Sequence, residues 1–285
     1  MKPNEIITQE FLKVLETEKV LPWKKPWKLF GHQNLFSKTH YRGFNRLITS
    51  ISPFSTPYWG TFRQISNAGG SVKEGEHGTI VCYYNRIDKK DKDGEIEDSY
   101  WLLKYYRIFN LEQTEGIEIP KIELYPTSKN EDIDRDIAAY AVRAKLVINE
   151  KLSDRAYYSP HEDSITVPAV GQFTEMGEFY STYFHELIHS TGHWDRLARF
   201  QKTDINIFGS DSYGKEELVA ELGSAFLRGY YGILLDSQEN SAGYIQGWIK
   251  AIKGDASLII HAAGAAQKAY DYYFGGNEND KARTD

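Results

Sequence analysis

The run Phe184-His185-Glu186-Leu187-Ile188-His189-Ser190-Thr191-Gly192-His193 constrains the fold of this chain more than any other stretch. Histidines four residues apart share a face on an α-helix, where both imidazoles can address one cation. On that helix Glu186 stands beside them as a candidate general base, while Leu187 and Ile188 point away into a core. A catalytic Zn²⁺ takes three protein ligands and one open position, so a third donor has to arrive from elsewhere. A second helix over 212–231 carries Glu216, Glu217 and Glu221 among Leu218, Val219, Leu222, Ala225 and Phe226. Glu217 is the favoured third ligand, completing a His₂Glu set. Glu221, one turn on, would accept the free N–H of a ligating histidine. Glu216 reads as a solvated helix carboxylate, and Tyr213, a turn before Glu217, as a candidate donor to a developing oxyanion. Asp195, which the chain could bring back by turning at Gly192, is a rival for the third position, as are Glu221 and His193. The plainer alternative is a surface histidine pair.

Two halves differ in charge. Residues 1–63 hold ten Lys/Arg against four Asp/Glu, whereas residues 127–285 hold sixteen against twenty-four. The first end can meet a polyanion that the second would repel. A single cysteine, Cys82, excludes an internal disulfide and a cysteine-based zinc cluster. No apolar run is long enough to span a bilayer, and no signal core follows the amino terminus, so a cytoplasmic setting with no membrane partner is expected.

In chain order, a first helix from Asn4 or Thr8 ends by Pro22, and Pro22-Trp23-Lys24-Lys25-Pro26-Trp27-Lys28 follows as a stiff extended segment. Tryptophans interleaved with lysines offer stacking faces beside phosphate partners, the two components of single-strand binding without base readout. Tyr41-Arg42-Gly43-Phe44-Asn45-Arg46 and Tyr58-Trp59-Gly60-Thr61-Phe62-Arg63-Gln64 continue that chemistry. A proposed groove is therefore built from Lys24, Lys25, Trp27, Tyr41, Arg42, Asn45 and Arg63. A short helix stops at Gly69-Gly70, β segments span 79–85 and 100–109 around a polar hairpin tip, and an extended segment covers 117–124. Residues 126–130 read as a linker. A helix follows from Glu131, with Ile133, Ile137, Ala141, Ala144 and Val147 on one side, ending near Asn149. The hairpin 155–168 could hold an extended peptide along its edge, with His161 as a turn residue. Helices over 238–253 and 255–274 close this half, before a disordered tail at 276–285.

These blocks together resemble the ArdC-type antirestriction proteins of plasmids and conjugative elements. In the first half the resemblance rests on Pro22-Trp23-Lys24-Lys25-Pro26-Trp27, Tyr41-Arg42-Gly43-Phe44-Asn45, Thr61-Phe62-Arg63-Gln64, Gly69-Gly70, Val72-Lys73-Glu74-Gly75-Glu76 and Arg107-Ile108-Phe109-Asn110-Leu111-Glu112-Gln113-Thr114. In the second it rests on 185–193, Arg196-Leu197 and Glu216-Glu217-Leu218-Val219-Ala220-Glu221. The resemblance implies an α+β chain of two domains. The first, 1–126, would bind single-stranded DNA; the second, 131–275, would be a mainly helical zincin-like metallopeptidase domain with a small antiparallel sheet. It also implies protection of incoming DNA from restriction. Two functional readings follow: a zinc peptidase acting on a protein substrate, with Glu186 as the base, or a strand-coating protein whose metal site is structural or inactive.

Overall fold

The computed structural model describes residues 2–17, 32–54, 56–90, 96–120, 130–153, 155–173, 175–200, 211–233 and 242–276. Lys24, Lys25, Trp27, the linker and nearly all of the tail lie outside these residues.

Helix α1 (Pro3–Thr17) carries Ile7, Phe11, Leu12 and Leu15 on one apolar stripe, and all four are buried. A four-stranded sheet follows in the order β1 (Gln33–Asn34), β2 (Tyr58–Gly60), β5 (Ile96–Asn110), β4 (Thr79–Lys90). Between its strands lie α2 (Gly43–Ser50) and α3 (Phe62–Asn67). Helix α3 starts where Thr61 and Gln64 exchange side-chain and backbone hydrogen bonds as a capping box, and it ends before Gly69. A two-stranded ladder, β3 (Ser71–Val72) with β6 (Thr114–Glu115), completes this half. Strands β4 and β5 run well beyond the expected 79–85 and 100–109, because their ladder continues from Thr79–Ile108 to Lys90–Ile96.

The second half begins with α4 (Asn130–Ala144). It stops earlier than the apolar spacing suggests: Lys145 adopts φ 54° and breaks the helix, so Val147 opens strand β7 (Val147–Lys151) instead. Strands β8 (Tyr157–Ser159) and β9 (Ser164–Pro168) form the expected hairpin. The sheet order is β7-β9-β8 with β7 parallel to β9, so the small sheet is mixed where an antiparallel one was expected. Helix α5 (Met176–Thr191) packs on this sheet, α6 (Asp211–Tyr231) and α8 (Leu258–Tyr273) pack against α5 and each other, and α7 (Ala242–Gly254) lies against α8. Among the described residues no helix is long and apolar enough to cross a membrane.

One continuous apolar core joins the halves, with α2 lying on α8 and α1 against α7 and α8. Arg46 is buried in this seam, its guanidinium 4.6 Å from the Phe226 and Tyr270 ring centroids and donating to the Phe226 carbonyl at 2.9 Å. A desolvated cation between two π faces holds the halves together more firmly than a surface ion pair could.

Deep in the first half, the Trp59 indole N–H donates to His32 Nδ1 at 2.9 Å. Burial, reinforced by the nearby Arg46 charge, pushes the His32 pKa down to about 3. An unfolded chain binds a proton at His32 near pH 6.5 while the folded one refuses it, so this contribution to stability is present above pH 6.5 and is lost as pH falls towards 3. Chemical denaturation between pH 7 and 4 should show a loss of about 1.4 kcal/mol per pH unit from this residue. That part of the slope should vanish in His32→Gln.

Candidate metal centre

Helices α5 and α6 cross so that residues from both meet at one point. His185 and His189 lie one turn apart on α5, and their Nε2 atoms are 3.1 Å apart. Glu217 on α6 places Oε2 3.3 Å from His185 Nε2 and Oε1 3.4 Å from His189 Nε2. Donors held at bonds of about 2.0–2.1 Å in a tetrahedral shell are separated by about 3.3 Å, so the two Nε2 atoms and the Glu217 carboxylate already stand at about the spacing of such a shell. The donor set therefore fits a divalent metal.

The side chains of His185 and Glu217 keep about a quarter of their surface exposed, which leaves the site open to solvent on one side. Behind it the packing is closed. His189 Nδ1 lies 3.2 Å from Glu216 Oε1, and Arg199 clamps the same carboxylate through Nε to Oε2 and Nη2 to Oε1, both at 2.9 Å. Arg199 is tied in turn to Thr191 Oγ1 at 2.9 Å and to the Ile188 carbonyl at 2.7 Å. Glu216, expected to be solvated, has a side chain only 13% exposed and takes the place at His189 Nδ1 that was expected of Glu221. Glu221 contributes to the field at Arg228.

Electrostatics follow the same geometry. Burial alone would lower His189, but hydrogen bonds to Glu216 and Glu217 outweigh it and hold its pKa up to about 10. The acceptors that hold a proton there would equally favour a cation in its place, so metal affinity rises with pH as the two compete. Burial works against ionised Glu217 as well, yet its bonds to His185 and His189 keep the carboxyl far below its ordinary range. Glu186 is buried, and desolvation raises its carboxyl above the usual value against the opposing pull of His189 and His185. The backbone of Tyr158, on edge strand β8, hydrogen-bonds to it.

Gly192 ends α5 at φ −78°, so it is not needed for a left-handed turn. Its value is space: a Cβ there would meet the Phe200 ring at 2.8 Å and the Arg199 guanidinium at 3.0 Å. The chain turns back to bring Arg199 rather than Asp195 to the site. Asp195 is 76% exposed, with its backbone N–H on His193 Nδ1, and His193 packs on the Trp194 ring. Tyr213 belongs to α6, but its side chain lies outside the described residues. Next to the site, Arg196 is bonded to Asp163, Tyr158 Oη and the carbonyls of Ser190 and Ala144, locking the β8–β9 hairpin against α5.

Of the residues proposed for the DNA groove, Tyr41, Arg42, Asn45 and Arg63 are described. Tyr41 is buried, Arg42 pairs with Asp271 of α8, and Asn45 is spent on the backbone N–H and carbonyl of Cys82 at 2.8 and 2.7 Å. Arg63, at the start of α3, is exposed. Sequence spacing could not separate these cases, since an arginine that faces another domain reads like one that faces solvent.

Fold and site together define a zincin-like metallopeptidase domain carried behind an α+β domain. Residues 135–265 match the zincin-like metallopeptidase family, and residues 1–115 match the N-terminal domain of the anti-restriction factor ArdC. The metal-free crystal structure of the antirestriction protein ArdC from plasmid R388 superposes with a TM-score of 0.75 at 30% identity, covering 96% of this chain and 97% of that one. Its Mn(II)-bound form gives 0.74 at 29% identity, with both chains fully covered. The chain belongs to the ArdC family of antirestriction proteins. It is also similar to two DNA primases TraC of Escherichia coli, at 30% and 32% identity over 94% and 88% of its length. It spans only 20% and 25% of those primases. The protein y4eC of Sinorhizobium fredii (strain NBRC 101917 / NGR234) is 28% identical over 94% of this chain and 90% of its own.

Proposed function

We propose that this protein is an antirestriction factor that binds single-stranded DNA through its first half and hydrolyses peptide bonds at a zinc site in its second, protecting incoming plasmid or conjugative-element DNA. The observation that carries the enzymatic part is a three-donor set open to solvent on one side, with a buried carboxylate, Glu186, beside it. A closed four-ligand shell would suit a structural ion instead. Two imidazoles and a carboxylate suit zinc by softness and geometry, and the Mn(II) form of the R388 protein supports a divalent ion in this family. A divalent metal held by His185, His189 and Glu217 would supply Lewis-acid polarisation of a carbonyl and lower the pKa of water. Glu186, its carboxyl raised above the usual range by burial, takes the proton from the attacking water and returns it to the leaving amine. Strand β8, on the open edge of its sheet, offers backbone groups to an extended substrate.

The test uses the full chain loaded with Zn²⁺ or Mn²⁺, incubated with casein and with cross-linked protein, with and without single-stranded DNA. Glu186→Gln should keep its metal and lose about 10²- to 10⁴-fold in cleavage rate. Equal cleavage by Glu186→Gln would overturn the assignment of the base. A loaded wild-type protein that cleaves neither substrate would leave strand coating as the function.

A further inference from the structure

Among the described residues of the first half, the β4–β5 ribbon carries the most exposed aromatic surface. At its base both faces are covered, with Ile80 and Val81 buried. From Tyr83 outwards consecutive side chains are exposed on opposite faces: Tyr83 and Tyr84 on β4, and Tyr100, Trp101, Tyr105 and Tyr106 on β5. Trp101, 61% exposed, is the most open of these.

Register assigns the faces. Cα partners Arg86–Trp101, Tyr84–Leu103, Cys82–Tyr105 and Ile80–Arg107 share one side. Along β5 that side reads Trp101, Leu103, Tyr105, Arg107, Phe109, a row of about 27 Å at strand rise. Phe62 continues it, edge-on to Phe109 with centroids 6.4 Å apart, and its neighbour is the exposed Arg63.

Charge decides what this row would meet. Residues 79–87 and 99–110 contain Arg86, Lys104 and Arg107 and no Asp or Glu, while the carboxylates of the hairpin gather towards its tip, at Asp88 and 91–98. Arg86 reaches back to Asp88, and Arg107 holds the Gly78 carbonyl with Glu10 3.8 Å away; the arginine side chains remain about half exposed. Leu102, 40% exposed, is the one large aliphatic side chain exposed in these segments. Here amphipathic rings stand on both sides with cations between them, the composition that binds bases by their π faces and phosphates by charge.

We propose that the β4–β5 face carrying Tyr84, Trp101 and Tyr105 with Arg86 and Arg107 is the stacking platform for single-stranded DNA, extended at its base by Phe62 and Arg63. The proposal rests on the reading of the first half as a DNA-binding domain and gives that reading its residues.

Fluorescence anisotropy of the full chain on labelled oligothymidylate and on duplex, across a salt series, tests it. Trp101→Ala/Tyr105→Ala should weaken single-strand binding by at least 25-fold, taking about 5-fold or more per lost stacking ring, with the salt slope unchanged. Arg86→Gln/Arg107→Gln should instead flatten the slope by about 1.4. Trp101→Phe/Tyr105→Phe should bind nearly as wild type, which separates stacking from any loss of fold. Alanine variants that bind within twofold of wild type would overturn the platform while leaving DNA binding intact. A wild-type chain that fails to prefer single strands would overturn both. Sedimentation in which the alanine variants change only self-association would reassign the ribbon to contacts between copies.

Discussion

Glu217→Ala should emerge from dialysis without its metal ion, as should His189→Ala, whereas Asp195→Ala should retain about one ion per chain by elemental analysis. Among the described residues Glu217 alone brings carboxylate oxygens to both Nε2 atoms, at 3.3 and 3.4 Å, and without it two imidazoles on one helix would have to hold the cation. Asp195 is directed to solvent and to its neighbour His193, so its loss removes nothing from the site. A graded effect is expected one layer back. Glu216→Gln keeps the volume of the carboxylate but weakens the acceptor at His189 Nδ1 and leaves Arg199 without its charge partner, so metal affinity should fall about 10- to 100-fold. Full occupancy in Glu217→Ala combined with loss in Asp195→Ala would move the third ligand to the loop after α5.

Gly223→Ala should lower the melting temperature by about 3–10 °C and weaken metal binding although residue 223 touches no metal-binding atom. The expected cost is about 1–3 kcal/mol, the range for forcing an extra methyl into a packed core. At this crossing a Cβ would lie 2.8 Å from the Cδ1, Cγ1 and Cγ2 atoms of Ile188, which is fully buried and has nowhere to rotate. The helices must part, and they are the two that carry His185, His189 and Glu217. Ile188→Ala makes room, so in that background Gly223→Ala should cost under about 0.5 kcal/mol, a coupling that a double-mutant cycle reads directly. Equal costs in both backgrounds would mean that the added methyl is opposed by something other than Ile188, since helix propensity by itself favours alanine.

Much of the site could be read from local spacing. The interval between His185 and His189 is a property of helix geometry, and Glu217 sits on a helix whose apolar pattern sets which residues face α5. The place of Glu216 beside His189 was not legible. Glu216 and Glu221 both flank Glu217 on one helix, and what distinguishes Glu216 is Arg199, which arrives from a loop and pairs with a largely covered carboxylate that would otherwise be costly to hold. The arginines of the first half show the same limit: Arg42 and Arg46 have the composition of a phosphate-binding loop, yet α8 and α6 supply their partners.

By itself the sequence determined what depends on neighbours within a turn or a strand: the helix that sets His185 and His189 on one face, the capping box at Thr61, the hairpins and the apolar stripes that make a single core. Only the tertiary structure decided which polar side chains are consumed by other elements and which remain for a ligand. Tyr41, Asn45 and Arg46 are removed from the surface by long-range contacts, while Tyr84, Trp101 and Tyr105, whose alternation reads as an ordinary strand, are left uncovered because the β4–β5 ribbon outruns the helices packed at its base. Burial is a property of what lies across the core, and a residue's own neighbours in the chain do not encode it.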